Sequence, residues 1–173
     1  MMRFFTTFFI MIVFLAACQH QSPTTKKVQL YNHSGDQVGS AELEEESNGV
    51  KIKLKAEGLS PGFHGIHIHE HPKCTGNDFK SAGNHLNPEK KQHGPMNPKG
   101  PHLGDLPNIH ADDDGKVKEE LMLSGATLKE GKKSLLLKDG TSLVITAGKD
   151  DGLSQPAGNS GKRIICGKII ADE

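Results

Sequence analysis

Four histidines lie within eight positions near the centre of the sequence. The stretch HGIHIHEHPKC, which begins at residue 64, contains His64, His67, His69 and His71. The isoleucines between them alternate, which predicts a β-strand whose successive side chains point to opposite faces. Neighbouring residues on one face lie about 6 to 7 Å apart along the backbone, a gap that two imidazoles can close by leaning toward one ion. His67 and His69 are therefore a candidate metal pair, and the alternative from this stretch alone is a polar strand face with no ligand.

A long polar loop follows and supplies more candidate ligands. It reads SAGNHLNPEKKQHGPMNPKGPHLGDLPN and contains His85, His93, His102 and Asp105, near glycines and prolines that let the backbone turn. Three imidazoles and one carboxylate are a sufficient tetrahedral set for Zn²⁺, which accepts nitrogen and oxygen ligands. The loop is a candidate zinc site, and the alternative is a solvated histidine-rich surface loop.

The segments around these residues have the pattern of strands. No segment shows sustained 3.6-residue periodicity, and short alternating runs at hairpin spacing predict an all-β antiparallel sandwich or barrel. Two segments, 74–106 and 147–162, lack apolar alternation, and loops of this length tend to be functional or held by another constraint. Besides the histidine stretch, the predicted strands cover residues 28–32, 37–43, 49–56, 115–123, 134–140, 141–146 and 163–170.

The N-terminal sequence predicts export. Residues 1–17 combine one basic residue, an apolar run too short to span a bilayer comfortably, and small residues ahead of Cys18, as in a signal peptide. LAAC looks like the lipobox of bacterial lipoproteins, in which the cysteine is acylated and becomes the mature N-terminus. We expect a signal peptide over 1–17, a polar tether over 18–27 and a domain over 28–173. The protein would then be extracytoplasmic and anchored to the cell membrane through the lipid on Cys18, and the alternative is a plain secretory signal.

The charge composition argues against one class of binding partner. Loss of residues 1–17 removes Arg3 from the 21 basic residues and none of the 21 acidic residues, so the mature charge stays close to zero. This balance gives no reason to expect nucleic-acid binding.

Two cysteines, Cys74 and Cys166, remain in the mature chain. Outside the cytoplasm a disulfide between them is the default, and two thiolate metal ligands are the alternative.

Four blocks of sequence, taken in order and with their spacing, resemble the copper/zinc superoxide dismutase family. They are GFHGIHIHE (62–70), SAGNHLNP (81–88), HGPMNPKGPHLGDLPN (93–108) and GNSGKRIICG (158–167). The resemblance covers residues 28–172. It implies an eight-stranded antiparallel Greek-key sandwich or barrel with two long functional loops. It also implies an antioxidant enzyme that dismutes superoxide to O₂ and H₂O₂ with Cu²⁺ and Zn²⁺ as cofactors.

The resemblance also implies a role for each matching residue. Two metals share one bridging histidine, which also donates a proton, while an aspartate outside the ligand set orients two of the imidazoles and an arginine attracts the superoxide anion. The residues are His67, His69 and His85 for copper; His85, His93, His102 and Asp105 for zinc; Asp150 as the orienting aspartate; Arg163 and the bridging His85 as catalytic residues; and Cys74 and Cys166 as the disulfide.

One expected copper ligand is missing. The family pattern places a histidine after an apolar LV-type run, with three residues between it and two acids, whereas this chain reads LVITAGKDD from residue 143. Thr146 occupies the position of the histidine, and a hydroxyl is a poor copper ligand compared with an imidazole.

Two functions from different classes follow. One is a cell-surface superoxide dismutase whose activity is weakened at Thr146. The other is a non-catalytic protein on the same scaffold that holds zinc or scavenges copper, since a fold does not guarantee its usual activity. The sequence leaves open whether the protein forms a homodimer, because members of the family use different dimer surfaces.

Overall fold

Antiparallel strands make up nearly all of the regular structure. The structure is a computed structural model that describes residues 24–172. The strands are β1 (Thr25–Asn32), β2 (Gln37–Glu46), β3 (Gly49–Ala56), β4 (Gly62–His64), β5 (Ile66–His69), β6 (Ile109–Ala111), β7 (Val117–Ser124), β8 (Thr141–Thr146) and β9 (Arg163–Ile169). A single 3-10 turn, Lys80–Ala82, interrupts the long loop after β5.

The strands form a curled sheet. Seven of them hydrogen-bond in the order β5-β8-β9-β1-β2-β3-β7, and β4 pairs with β6 as a separate ribbon. β4 and β5 are two halves of one passage of the chain, separated at Gly65, and the change of partner there links the ribbon to the main sheet. Counted as one strand they leave eight, so the predicted all-β eight-stranded antiparallel fold is confirmed.

The core is aliphatic and follows the period of two. In β1 the side chains alternate between exposed and buried, and Val28 and Leu30 point inward. Such alternation is expected when one face of an antiparallel sheet packs on the core and the other meets solvent. Phe79 is the one buried phenylalanine or tyrosine within residues 24–172, so most of the packing comes from leucine, isoleucine and valine.

Most predicted strands are present, with three differences. The prediction for 134–140 is wrong, since these residues form turns: the three consecutive leucines cannot alternate, and Lys138 has a positive φ of 58°. The short strand β6 was not predicted. β1 begins at Thr25, so the last residues of the expected tether belong to the sheet.

Two long segments carry no strands, as predicted. They connect β5 to β6 and β8 to β9. The expected signal peptide and Cys18 lie outside the described residues. Within residues 24–172 no helix has the length and apolar character needed to cross a membrane.

Candidate metal centre

β5 and the loop after it bring the candidate ligands together. Two short bridges pair His67 with Asp105 and His69 with His85. The backbone bonds from Ile68 N to Gly104 O (2.9 Å) and from Leu86 N to Ile68 O (2.8 Å) dock both parts of the loop on the strand. Gly104 is required at this contact, because a Cβ there would overlap the Ile68 carbonyl. The loop is therefore ordered along the strand that carries two of the histidines.

Asp105 is the centre of one half of the cluster. Its Oδ1 lies 2.8 Å from His85 Nδ1, 3.1 Å from His93 Nδ1 and 3.4 Å from His102 Nδ1. Its Oδ2 accepts hydrogen bonds from the backbone N–H groups of Gly94 and His102, each at 2.9 Å. Burial would raise the pKa of Asp105, but the three imidazoles outweigh it and hold that pKa well below its usual value. The three imidazoles expected to bind zinc are thus grouped around the ionised carboxylate of Asp105, which is the fourth expected ligand.

His67, His69 and His85 form the other half. The His67 ring stacks on His85 with centroids 3.9 Å apart, and the His69 ring meets His85 edge-on at 4.9 Å. Burial lowers the pKa of His69, and it lowers the pKa of His85 to about 4 against the opposing effect of Asp105. Both rings are therefore neutral near pH 7, the state in which an imidazole binds a metal.

Asp150 joins the two halves. Its Oδ2 accepts from His67 Nε2 at 2.6 Å, and its Oδ1 accepts from His93 Nε2 at 3.1 Å. Burial lowers the pKa of His93, but its hydrogen bonds to Asp105 and Asp150 outweigh this and raise that pKa to about 9. Burial would raise the pKa of Asp150, but the hydrogen bonds from His67 and His93 outweigh it and hold that pKa well below its usual value.

The hydrogen bonds leave specific nitrogen atoms for a metal. His67 donates through Nε2 to Asp150 and His69 donates through Nδ1 to the Gly83 carbonyl (3.0 Å), so the tautomer of each ring is set. Among residues 24–172 the opposite atoms, His67 Nδ1 and His69 Nε2, are buried with no hydrogen-bond partner, as is His102 Nδ1. Buried polar atoms are normally satisfied, and a cation among neutral imidazoles would satisfy these. The donor set fits the expected metals.

The tightest group differs slightly from the predicted zinc set. Ligand atoms of His67, His85, His93 and Asp105 all lie within 4.8 Å of one another. His67 joins this group because it stacks on His85, whereas His102 approaches Asp105 from the rim. The cluster is therefore continuous from the expected copper side to the expected zinc side.

Comparison with known proteins agrees with this geometry. The sequence model of a family described as copper/zinc superoxide dismutase matches residues 37–169. Superoxide dismutase [Cu-Zn] 1 of Aquifex aeolicus is 52% identical over 142 residues, which is 81% of this chain and 84% of that protein. The superoxide dismutase-like protein YojM of Bacillus subtilis is 43% identical, covering 84% of this chain and 76% of that one.

A solved structure is similar as well. A crystal structure of a SOD-like protein from Bacillus subtilis matches with a TM-score of 0.80 and 42% identity, over 82% of this chain and 96% of that chain. This chain belongs to the copper/zinc superoxide dismutase family. Membership supports superoxide dismutation in general, with copper and zinc as the metals of the family.

Thr146 departs from the family pattern at the end of β8. Its side chain is 5% exposed, and it lines one cavity of about 470 Å³ with His69, His85 and Arg163. Its hydroxyl donates to the backbone carbonyls of Gly65 (3.1 Å) and Gly148 (3.3 Å), which share its one proton. The hydroxyl is thus engaged with the backbone.

Arg163 lies opposite Thr146 in the sheet. The register of β8 and β9 shifts between Ile145 and Thr146, so that Thr146 pairs with Arg163. The guanidinium donates to Phe79 O at 3.0 Å and to Gly83 O at 2.8 Å. Gly83 O also accepts from His69, so one carbonyl orients both the arginine and a candidate copper ligand.

The family disulfide is confirmed. Cys74 and Cys166 are bonded, with Cα atoms 5.7 Å apart. The bond holds the segment before Gly83 against β9, and Phe79 and Val144 pack around it. The alternative of two thiolate ligands is wrong.

Other histidines lie outside the cluster. Both ring nitrogens of buried His64 lie 2.8 Å from backbone carbonyls, those of Thr146 and Ser60. His71 does not share the face of His67, because β5 ends at His69 and the His71 side chain is 55% exposed.

Three supporting groups were not predicted. The Asn108 amide exchanges two hydrogen bonds with the Asp150 backbone, at 2.9 and 2.8 Å, although Asn108 falls within a block that carries the resemblance. The Gln155 amide does the same for the His93 backbone. The third group is the Gly83 carbonyl. No sequence pattern indicates these contacts, since each depends on how a loop folds back.

Proposed function

We propose that the chain is a superoxide dismutase with a complete zinc site and a copper site that lacks one imidazole. The observation that carries this proposal is the position of Thr146, beside His69 and His85 in one cavity but with its hydroxyl bonded to two backbone carbonyls. The side chain at the ligand position of the family therefore offers no nitrogen.

His85, His93, His102 and Asp105 would hold zinc. The three Nδ1 atoms already face one carboxylate oxygen, which is the arrangement expected when the carboxylate and imidazoles converge on one ion. His93 must lose its Nδ1 proton to bind, because in the metal-free protein both of its ring nitrogens face carboxylates. Zinc would also hold the loop between β5 and β6 in place.

His67, His69 and His85 would hold copper, whose two oxidation states supply one-electron oxidation and reduction of superoxide. His67 would use Nδ1 and His69 would use Nε2, since those atoms are buried and accept no hydrogen bond from the part of the chain that the structure describes. Asp150 and the Gly83 carbonyl keep the two rings in the required tautomers. Three imidazoles would remain where the family has four.

Arg163 and His85 would act on the substrate. The Arg163 guanidinium lines the cavity and is held by two carbonyls, so its charge attracts superoxide at a fixed position. His85 stands between the two metal positions and would carry, at Nε2, a proton that the peroxide product requires.

The test compares the native chain with Thr146→His. Each metal-free protein is loaded with zinc and copper, and the decay of superoxide is followed by stopped flow. We expect the histidine variant to react at least about tenfold faster, equivalent to about 1.4 kcal/mol in the barrier. Equal rates would show that the absence of a histidine at position 146 does not limit the reaction.

The second candidate function is zinc holding or copper scavenging without catalysis. The orientation of the Thr146 hydroxyl favours it, because copper would be held by three imidazoles where the family has four, whereas all four expected zinc ligands are in place. Metal content of the purified protein separates the two functions. Stoichiometric copper supports the enzyme, and zinc alone supports the second function.

We further propose that the chain is anchored outside the cytoplasm through a lipid on Cys18. The support is the LAAC sequence at residues 15–18 and the apolar run before it. Mass spectrometry of the native N-terminal peptide should show an acylated cysteine, and the variant Cys18→Ser should be released from membranes. An unmodified Cys18 would contradict the anchor.

A further inference from the structure

Gln155 clamps the backbone of a candidate zinc ligand. The His93 N–H donates to Gln155 Oε1 at 2.9 Å, and Gln155 Nε2 donates to the His93 carbonyl at 3.0 Å. The same Nε2 donates to the Leu153 carbonyl at 2.9 Å. One exposed amide thus fixes both backbone groups of a buried histidine 62 residues away in the chain.

The residues around Gln155 form a wall of the cavity that contains His69, His85 and Arg163. We call residues 153–159 the wall segment; the part of it that lines the cavity comprises Ser154, Gln155, Pro156, Ala157 and Asn159. Internally the segment is closed by Gly158 N donating to Ser154 O at 2.8 Å. It is a compact turn that lines the cavity on the expected copper side.

The wall segment has one hydrogen-bonded attachment to the zinc side. Within the part of the chain that the structure describes, its hydrogen bonds leave the segment only for the flanking residues Asp151 and Ser160 and for His93. The His93 side chain in turn lies between Asp105 and Asp150. Gln155 therefore connects the cavity wall to the residues around Asp105.

We infer that Gln155 is a positioning residue that couples zinc binding to the order of the cavity wall. The inference rests on the proposed zinc site, of which His93 is a member. A zinc ion that fixes the His93 imidazole also fixes its backbone, and the Gln155 amide then holds the wall segment in place over the copper side. Loss of the amide separates the two events: zinc binds, and the wall segment stays loose.

The experiment measures hydrogen exchange with and without Zn²⁺. The reporters are the Asp151 amide, which donates to Gly158 O at 2.9 Å, and the Gly158 amide. In the native protein we expect zinc to slow their exchange at least about tenfold, since exchange follows local opening. In Gln155→Ala we expect less than about a twofold effect, although one zinc still binds.

Two further variants sharpen the test. Gln155→Glu keeps the acceptor for His93 N–H and loses both donated bonds, so its zinc-dependent protection should be intermediate. Leu153→Ala removes an exposed side chain from the same segment and should behave as the native protein. Co²⁺ bound in place of zinc gives an absorption spectrum that reports ligand geometry, and this spectrum should shift in Gln155→Ala but not in Leu153→Ala.

The outcomes are distinct. Native-like zinc protection of the wall segment in Gln155→Ala, with an unchanged Co²⁺ spectrum, would overturn the inference and leave the zinc site intact. Failure of the native protein to bind Zn²⁺ would overturn the proposed function itself. Protection lost in Gln155→Ala while zinc stays bound would establish Gln155 as the connection.

Discussion

The Asp150 carboxylate fixes two imidazoles at once. It accepts from His67 on the expected copper side and from His93 on the expected zinc side. The Gly152 backbone N–H donates to the same carboxylate at 2.6 Å, and the Asn108 amide holds the Asp150 backbone. The orientation of the His67 and His93 imidazoles therefore depends on the position of the Asp150 carboxylate.

Gly158 leaves that space open, and this gives a first prediction. Gly158 has φ of +68°, and a Cβ at this position would overlap the Asp150 carboxylate. We expect Gly158→Ala to displace the carboxylate and to weaken copper and zinc binding by about 10- to 100-fold, the usual effect of losing an orienting partner. Competition with a chelator measures both affinities.

Gly161→Ala is the matched control for this change. Gly161 has φ of +84°, but its Cβ would come no closer than 3.9 Å to another atom. This variant carries the same kind of backbone strain without touching Asp150. If both variants lost metal affinity equally, strain in the loop would be the cause and the role given to Asp150 would be wrong.

The second prediction concerns Asp105, which faces three imidazoles. Asp105→Ala removes the one carboxylate of the proposed zinc set and leaves the Gly94 and His102 N–H groups without their acceptor. Because metal binding and folding are coupled, we expect a loss of zinc affinity of at least about 100-fold and a lower melting temperature of the zinc-loaded protein. Asp113→Ala, in an exposed turn, should change neither quantity. Unchanged zinc content in Asp105→Ala would refute the assignment of Asp105.

At the scale of elements, β9 is tied to the loop after β5 at two places. The disulfide joins Cys74 to Cys166, and Arg163 donates to the Phe79 and Gly83 carbonyls. Gly83 has φ of +79°, a backbone conformation that strains any residue with a side chain. These contacts bring the Gly83 carbonyl to His69 and so connect β9 to β5 through the loop.

The third prediction follows from the length of the loop that the disulfide closes. The cysteines are 92 residues apart, and the chain-entropy estimate for such a loop is about 4 to 5 kcal/mol in the free energy of unfolding. Urea unfolding of the metal-free double variant, Cys74→Ser with Cys166→Ser, should show a loss of this size. Cys18→Ser is the control and should unfold like the native chain. A loss below about 1 kcal/mol would show that the disulfide adds little to this fold.

Two strands could be predicted to the residue. β3 and β8 have the predicted bounds, because β3 alternates over most of its length and β8 is a short apolar run that follows turn residues. β6 has three residues, too few to show a period. Residues 134–140 contain three leucines in a row, which predicts a strand by composition, but the backbone turns there instead.

The sequence predicted the residues of the site but not the hydrogen-bond partners that orient them. The family pattern located the histidines, Asp105, Asp150 and Thr146, and the structure brings them to one cluster and its rim. The family pattern could not predict the hydrogen-bond partners that select each tautomer, such as the Gly83 carbonyl for His69. Those partners are backbone groups or amides on loops, and their positions follow from loop conformation rather than from residue type.

At the scale of the whole molecule, the aliphatic core and the candidate metal centre occupy different parts of the fold. The aliphatic core packs between strands of the sheet, while the two long loops begin where β5 and β8 end. Two of the candidate copper ligands lie on β5, and the four candidate zinc ligands lie on the loop that docks against it. A single substitution at the end of β8 can change the chemistry while the fold stays the same.

The most direct measurement of the central claim is the number of nitrogen atoms on copper. Electron paramagnetic resonance of the native protein, loaded with zinc and isotopically pure Cu²⁺, resolves nitrogen couplings from bound imidazoles. We expect three nitrogens, from His67, His69 and His85, and four in Thr146→His. Four nitrogens in the native protein would mean that another residue fills the position of Thr146, and that the copper site is complete.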